Sequence, residues 1–334
     1  MHTPFDQLTE RGRVRRLRQI ARAALGRYGL GDAETALLAV HTNTLFLVKA
    51  PGGPCVLRVG APGQRAPLEI ESELRWLAAL RRDTALAVPE PLPTRGGELV
   101  VTAEAPGVPG PRHCVLFRWM PGRALGERVS PALAEQMGAL LARLHQHADT
   151  FRPPAAFSSA RWDTVWTFGR PAALDGAEPD PLWPPERRAL VAETAARVQA
   201  LLDRLYADPR GLRFLHCDFH PGNLKRHQGD LAVLDFDDSR WAYPVQDIGV
   251  ALFYFLDDPG YRELRRRFLA GYRGVRDALP PDGEIDLCLA ARIVDLVSYV
   301  LRFEVLSGEE LEAWLPKVEG RIRKLGVLNV PERA

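Results

Sequence analysis

The sequence predicts an α+β protein in two parts, a small N-terminal lobe of about five antiparallel strands plus a helix and a larger, mainly helical C-terminal lobe. Three observations lead there. Short apolar segments separated by turn residues fill positions 36–118, apolar residues at helical spacing dominate from 131 onward, and 334 residues exceed the usual size of one domain. An apolar fraction of 46% with 26% charged residues describes a globular chain and excludes a disordered one. With 44 Lys+Arg against 42 Asp+Glu, a formal charge of +2, the basic excess of a general nucleic-acid binder is missing.

The elements follow in order. Leu8, Val14, Leu17, Ile20, Ala21, Ala24, Leu25 and Tyr28 recur at helical spacing, so 1–30 is expected to hold an amphipathic helix. Its arginines, Arg11, Arg13, Arg15, Arg16 and Arg18, read as a solvated face rather than a patch for an acidic partner. Strands are expected at 36–40, 45–49 and 55–59, with His41-Thr42-Asn43-Thr44 and Pro51-Gly52-Gly53-Pro54 at the turns. Leu68, Ile70, Leu74, Leu77 and Leu80 mark a helix over 67–80, which Val88-Pro89-Glu90-Pro91 breaks. Strands at 98–102 and 113–118 complete a lobe spanning 31–119. Met120-Pro121-Gly122 opens the second part, 120–334, with helices at 131–147, 185–207, 245–256, 261–279, 284–306 and 307–328. Residues 151–185, rich in Pro, Ala and aromatics including Trp162, Trp166 and Trp183, read as an irregular insertion.

Cys55, Cys114, Cys217 and Cys288 are far apart and form no Cys-x-x-Cys pair, which fits free thiols in a reducing compartment. The N-terminal arginines precede no apolar block of signal-peptide type, and stretches such as 248–256 are too short to span a bilayer. A soluble, cytoplasmic protein is expected, with no membrane and no nucleic-acid partner.

The chemistry concentrates in Phe214-Leu215-His216-Cys217-Asp218-Phe219-His220-Pro221-Gly222-Asn223 and Leu231-Ala232-Val233-Leu234-Asp235-Phe236-Asp237-Asp238. A short apolar strand leads into His216-x-Asp218, and Asn223 follows five residues after Asp218. Gln228-Gly229-Asp230 then turns the chain into a strand that ends at Asp235. Phosphoryl transfer needs one carboxylate to orient the accepting hydroxyl and take its proton, and oxygen ligands to hold Mg²⁺ on the nucleotide phosphates. Asp218, Asn223 and Asp235 match that template in order and spacing, and amide and carboxylate oxygens suit Mg²⁺. A zinc site among His216, Cys217, Asp218, His220 and His227 would leave Asn223 and Asp235 unexplained. A purely structural hydrogen-bonding role for His216 and Asp218 is the other competing account.

These two stretches resemble the aminoglycoside phosphotransferase and choline kinase-like family, which includes homoserine kinase type II and bacterial stress-response kinases. The family signature His-Gly-Asp-x-His-Pro-Gly-Asn stands here as residues 216–223, with Cys217 at the glycine, and Ile-Asp-Phe/Trp-Asp/Glu as Leu234-Asp235-Phe236-Asp237. Gln246-Asp247-Ile248-Gly249 is similar to the family's Tyr-Asp-Leu-Ala at the next helix start, where Asp247 is read as a structural N-cap. Gly138-x-x-Leu141-Ala142-x-Leu144-His145 matches a family helix and is read as core packing. The resemblance runs from about Leu37 to Leu256 and implies a protein kinase-like two-lobe fold with ATP and Mg²⁺ as cofactors.

It also assigns roles. Arg58 stands where kinases place a phosphate-binding Lys, and a guanidinium engages phosphate bidentately; Glu73 is its expected ion-pair partner, with Glu69 one turn away as the alternative. Thr42, Asn43 and Thr44 occupy the place of the glycine-rich loop, and Phe117-Arg118-Trp119-Met120 the interlobe hinge, so that Arg118 and Met120 join the nucleotide-binding set. Asn223, Asp235 and Asp237 form the metal set, and Asp218 is the catalytic base. Only eleven residues separate Asp235 from Asp247, too few for a protein kinase activation segment, so a small-molecule hydroxyl is the expected acceptor. A Ser/Thr protein kinase of the stress-response type and a catalytically silent nucleotide-binding scaffold are the alternatives. Acceptor recognition is expected from 151–185 and the C-terminal helices, where Glu304, Glu309, Glu310 and Glu312 form an acidic run read as an exposed helix face.

Overall fold

The computed structural model describes residues 4–126, 128–176 and 180–327. Helix α1 (Glu10–Arg27) begins where the Thr9 hydroxyl accepts the Gly12 N–H, satisfying one of the free donors of the first turn. It buries Val14, Leu17, Ile20, Ala21, Ala24 and Leu25, the centre of the predicted stripe, and leaves Arg11, Arg13, Arg15, Arg18 and Arg22 exposed. The buried stripe joins one core with Phe46, Val48, Leu57, Val59, Cys114 and Leu116.

Those residues belong to an antiparallel sheet of β1 (Thr35–Val40), β2 (Thr44–Ala50), β3 (Gly53–Val59), β4 (Pro91–Leu92), β5 (Val101–Ala103) and β6 (Arg112–Arg118). The order is β1-β2-β3-β6-β4, with β5 also on β6. Helix α2 (Pro67–Asp83) lies between β3 and β4 in the chain. There are six strands where about five were expected. The addition, β4, falls in the proline-rich breaker, and Pro91 is tolerated there because β4 ends the sheet. The strand expected at 98–102 starts only at Val101. Glu98 is held in a tight turn instead, accepting the Thr94 N–H at its carbonyl and donating its own N–H to the Thr94 hydroxyl.

The chain continues through β7 (Arg123–Ala124), α3 (Pro131–Thr150), α4 (Pro185–Tyr206), β8 (Arg213–Leu215), β9 (Leu224–His227), β10 (Asp230–Val233) and β11 (Arg240–Ala242). Helices α5 (Pro244–Phe253), α6 (Tyr261–Arg273), α7 (Asp282–Phe303) and α8 (Gly308–Leu325) complete it. Helix α6 stops short of 279 because Gly274 caps it and Pro280-Pro281 follow. Residue 328, the expected end of the last helix, lies outside the described residues. The described residues between 151 and 184 are irregular apart from a 3₁₀ turn at Ala172–Leu174, and Trp162 and Trp183 are buried.

The chain forms two compact units. The sheet unit holds the described residues through Arg123, then Phe151–Ser159 and Lys225–Asp237; the helical unit holds Ala124–Thr150, Ala160–Leu224 and the described residues from Asp238 on. In the helical unit α3 and α6 approach so closely that a Cβ on Gly138 would lie 1.9 Å from the Phe268 carbonyl oxygen. One on Gly271 would lie 1.9 Å from that of Glu135. Backbone cannot yield as a flexible side chain does, so Gly271→Ala should destabilise the protein by about 2 kcal/mol or more despite alanine's better helix propensity. A urea midpoint equal to that of the wild type would contradict this packing.

Candidate active site

In the helical unit, β8 pairs antiparallel with β11, Leu215 opposite Arg240 and Phe214 opposite Trp241, so the chain leaves a fixed strand end into His216-Cys217-Asp218. The loop is then held from beneath. Asp247 Oδ1 accepts the Cys217 N–H (3.1 Å), Asp247 Oδ2 accepts His145 Nε2–H (3.1 Å), and His145 Nδ1 meets the Tyr272 hydroxyl (2.8 Å). Asp247 and His145 are fully buried, and burial pushes the Tyr272 phenol up to about 12. Asp247 is therefore not the N-cap expected of it. Tyr243 caps α5, its N–H satisfied by the Gln246 side chain, and Asp247 sits inside the first turn to serve the loop. His145, expected only as core filler, is the hydrogen-bonding member of its helix face.

Cys217 adopts φ = 62°, a left-handed conformation that glycine enters without steric cost. This accounts for the glycine of the family pattern and identifies Cys217 as the strained substitute. Cys217→Gly should be neutral or stabilising, whereas Cys217→Val, β-branched at positive φ, should lose more than about 1 kcal/mol. Equal denaturation midpoints for the two variants would refute the strain. Asp235 is also left-handed, at φ = 57°, and Gln228 (51°) with Gly229 (94°) makes the two-residue turn between β9 and β10.

Asp218 is the focus of the helical unit's polar groups. Asn223 Nδ2 donates to its carbonyl (3.0 Å) and to Oδ2 (2.9 Å), and His220 Nε2 lies 3.3 Å from Oδ2. Arg292 Nη2, from α7, donates to Oδ1 (2.7 Å) and to the Tyr254 hydroxyl (3.2 Å). The Tyr254 ring stacks on His220, centroids 4.2 Å apart. Burial alone would raise the Asp218 pKa, but the His220 hydrogen bond and the Arg292 charge outweigh it and hold the carboxyl below its ordinary range. Arg292 stays charged: burial opposes this, and Tyr254, Asp218 and Asp295 more than compensate.

In the sheet unit, Arg58 on β3 and Glu73 on α2 form a bidentate pair, both contacts 2.9 Å, with side chains 9% and 1% exposed. Arg65 adds a third donor to Glu73 at 2.5 Å. Glu69 instead accepts the Ala66 N–H at the start of α2, so Glu73 is the partner of Arg58. Asn43, in the β1–β2 turn, donates to Asp237 Oδ2 (2.5 Å). Burial would raise the Asp237 pKa, but Arg58, a hydrogen bond with Asp235, Arg65 and Asn43 together hold it below the ordinary carboxylate range. Asn43, Arg58, Arg65, His113 and Asp237 line one small pocket. Thr44 is buried in β2, while Thr42 and the side chain of Asp235 are exposed. In the segment expected as the hinge, the Arg118 N–H donates to the Glu90 carbonyl and its guanidinium to the Glu90 carboxylate, while the Met120 carbonyl accepts from Lys225 Nζ (3.0 Å).

Sequence reasoning missed Arg292, Tyr254 and Arg65. The available signal for the first was that Arg292 and Asp295 interrupt the apolar run of α7, which is otherwise buried from Ile285 to Val300 on most of its surface.

Residues 35–281 match the phosphotransferase enzyme family, and the chain belongs to it. An uncharacterized protein of Deinococcus radiodurans is 30% identical over 228 residues, 67% of this chain and 62% of that one, so the chain matches about three-fifths of that relative's length. Among solved structures, the microcompartment-associated aminopropanol kinase is similar over 93% of this chain and 97% of its own, with 27% identity and a TM-score of 0.79. An amicoumacin kinase in complex with AMP-PNP, Ca²⁺ and Ami shares the fold over 87% and 88% of the two chains, with 21% identity and a TM-score of 0.70. The α+β, protein kinase-like fold expected from the motifs is the fold observed. Among the described residues no helix is long and apolar enough to cross a membrane.

Proposed function

We propose that the chain transfers the γ-phosphoryl group of ATP to a hydroxyl of a small molecule, ATP + R–OH → ADP + R–O–phosphate, with Asp218 as the base. The observation that carries this is the setting of Asp218: Asn223, His220 and Arg292 fix its carboxylate and keep it ionised, ready to accept the hydroxyl proton. Asn223 turns its amide nitrogen to Asp218, which leaves its oxygen for a cation. With the carboxylates of Asp235 and Asp237 it supplies the hard oxygen donors that fit Mg²⁺. Bound Mg²⁺ neutralises charge on the nucleotide's phosphates. The bidentate pair with Glu73 uses two of the five N–H groups of Arg58, and the rest are free to steady phosphate oxygens. Backbone N–H groups of Thr42 and Asn43 and the exposed Thr42 hydroxyl cover the phosphates, while Thr44, buried in β2, fixes the end of that turn, and backbone groups between Arg118 and Met120 meet the base.

Family membership supports the reaction class, and the aminopropanol kinase likeness supports a small-molecule acceptor over a protein serine. The test is Mg²⁺-dependent transfer from ATP, followed by phosphorus NMR over amino alcohols, amino acids, aminoglycosides, sugars and a generic protein. Transfer to one small acceptor is the expected result. Phosphorylation of the protein alone, or no binding of ATP, would overturn the proposal.

A further inference from the structure

Helix α7 is a core helix with one open stripe. Arg292, Leu296, Tyr299 and Phe303 follow one another at three- and four-residue steps and are the less buried members of their turns, while Ile293, Val294, Val297 and Val300 are buried. At one end of the stripe Arg292 touches Asp218 and Tyr254. At the other, Tyr299 and Phe303 form an aromatic trio with Phe168, centroids 5.2 Å from Phe168 to Tyr299, 5.7 Å from Phe168 to Phe303 and 5.2 Å from Tyr299 to Phe303. Phe168 is held in place because the Ser298 hydroxyl donates to the carbonyl of Gly169 (2.7 Å). Phe303 is nevertheless 50% exposed.

The distribution of exposed large apolar side chains says what covers this face. Among the described residues of the helical unit they are Tyr254, Phe303 and Val305. Tyr254 stands beside the Asp218 end of the stripe, and Phe303 with Val305 at the far end. A protein interface needs about 800 Å² per partner, far more than these three side chains offer. A ligand that starts at Asp218 needs only to be long enough. The helix rise places Tyr299 about 10 Å and Phe303 about 16 Å along the axis from Arg292. Between the two ends Asp295, 4% exposed, keeps one carboxylate oxygen without a hydrogen-bond donor.

We infer that the open stripe of α7 is the acceptor-binding surface, and that the acceptor is an elongated, amphipathic alcohol whose apolar or aromatic end lies roughly 10–16 Å from the phosphorylated hydroxyl. This rests on the kinase reading above and goes beyond it in acceptor class. A two- to four-carbon amino alcohol would reach Asp218 and leave the aromatic trio bare.

The probes are phenyl-terminated oligoethylene glycol mono-alcohols of one to four units, with the matching methyl ethers as controls. Binding is read by saturation-transfer NMR and turnover by phosphorus NMR, each independently of the other. The longer phenyl ethers should bind at least tenfold tighter than their methyl counterparts and show the lower KM. Phe303→Ser and Tyr299→Leu should each remove most of that advantage while leaving kcat with ethanolamine or the shortest methyl ether unchanged. Both positions are at least partly exposed, and agreement between the two variants guards against a folding defect in one. Equal binding of phenyl and methyl ethers at every length, or an advantage that survives both substitutions, would overturn the inference. Phenyl-dependent binding without turnover of any acceptor would instead refute the kinase reading and leave the surface assigned.

Discussion

Asp218→Asn should lower turnover by about 10²–10⁴-fold or more while leaving nucleotide affinity within about twofold. The asparagine keeps the size and most of the contacts of the aspartate. Its oxygen can still accept from Arg292 or Asn223, and the loop held by Asp247 and His145 is untouched. What disappears is the negative charge that takes the proton of the accepting hydroxyl. A structural Asp218 would behave otherwise: the variant would lose stability and nucleotide affinity together and keep its rate per folded molecule. Steady-state rates combined with calorimetric titration of AMP-PNP separate the two, and an unchanged kcat would refute the base assignment.

Glu73→Ala should cost about 3–5 kcal/mol of stability, the largest single-residue loss expected in the sheet unit. Glu73 is 1% exposed and accepts two hydrogen bonds from Arg58 and one from Arg65. Its removal leaves the buried Arg58 guanidinium short of its main counter-charge, and an unpaired buried charge is far more expensive than the pair is beneficial. The double replacement Arg58→Met with Glu73→Leu should therefore recover most of the loss in urea denaturation. The phosphate-steadying role proposed for Arg58 would not return with it, so the double variant should be stable and nearly inactive. A Glu73→Ala protein as stable as the wild type would show that the pair is not holding α2 against the sheet.

Much of this was legible in the sequence because it is local. Residues 216–223 and 234–237 carry their order and spacing in a few positions, and the alternation in β2, β3 and β6 follows from which face meets the core. Asp247 was read in the right place with the wrong task, since an N-cap is a local role and its actual partners, His145 and the Cys217 amide, come from distant segments. Cys217 gave no sign of its backbone angle except by standing at a glycine position. Arg292 was illegible for a different reason. In a chain whose positive charge is nearly all arginine, one more arginine carries no contrast, and only the fold reveals that it meets Asp218 across 74 residues. Arg65 was hidden in the same way beside Glu73.

The sheet unit is stitched from three stretches of chain, and its last piece, Lys225–Asp237, is separated from Arg123 by most of the helical unit's first half. On the ribosome this sets an order of events. The six-stranded sheet and α1 can assemble as soon as residue 123 has emerged, but Asn43 and Arg58 must wait for Asp237. At ordinary translation rates that delay is on the order of ten seconds. During it the nascent sheet keeps the Arg58–Glu73 pair but lacks the Asp237 carboxylate. A fragment cut at residue 123 would preserve that half-made state, so the nucleotide site proposed above is one completed late in synthesis and cannot be transplanted with the N-terminal segment alone.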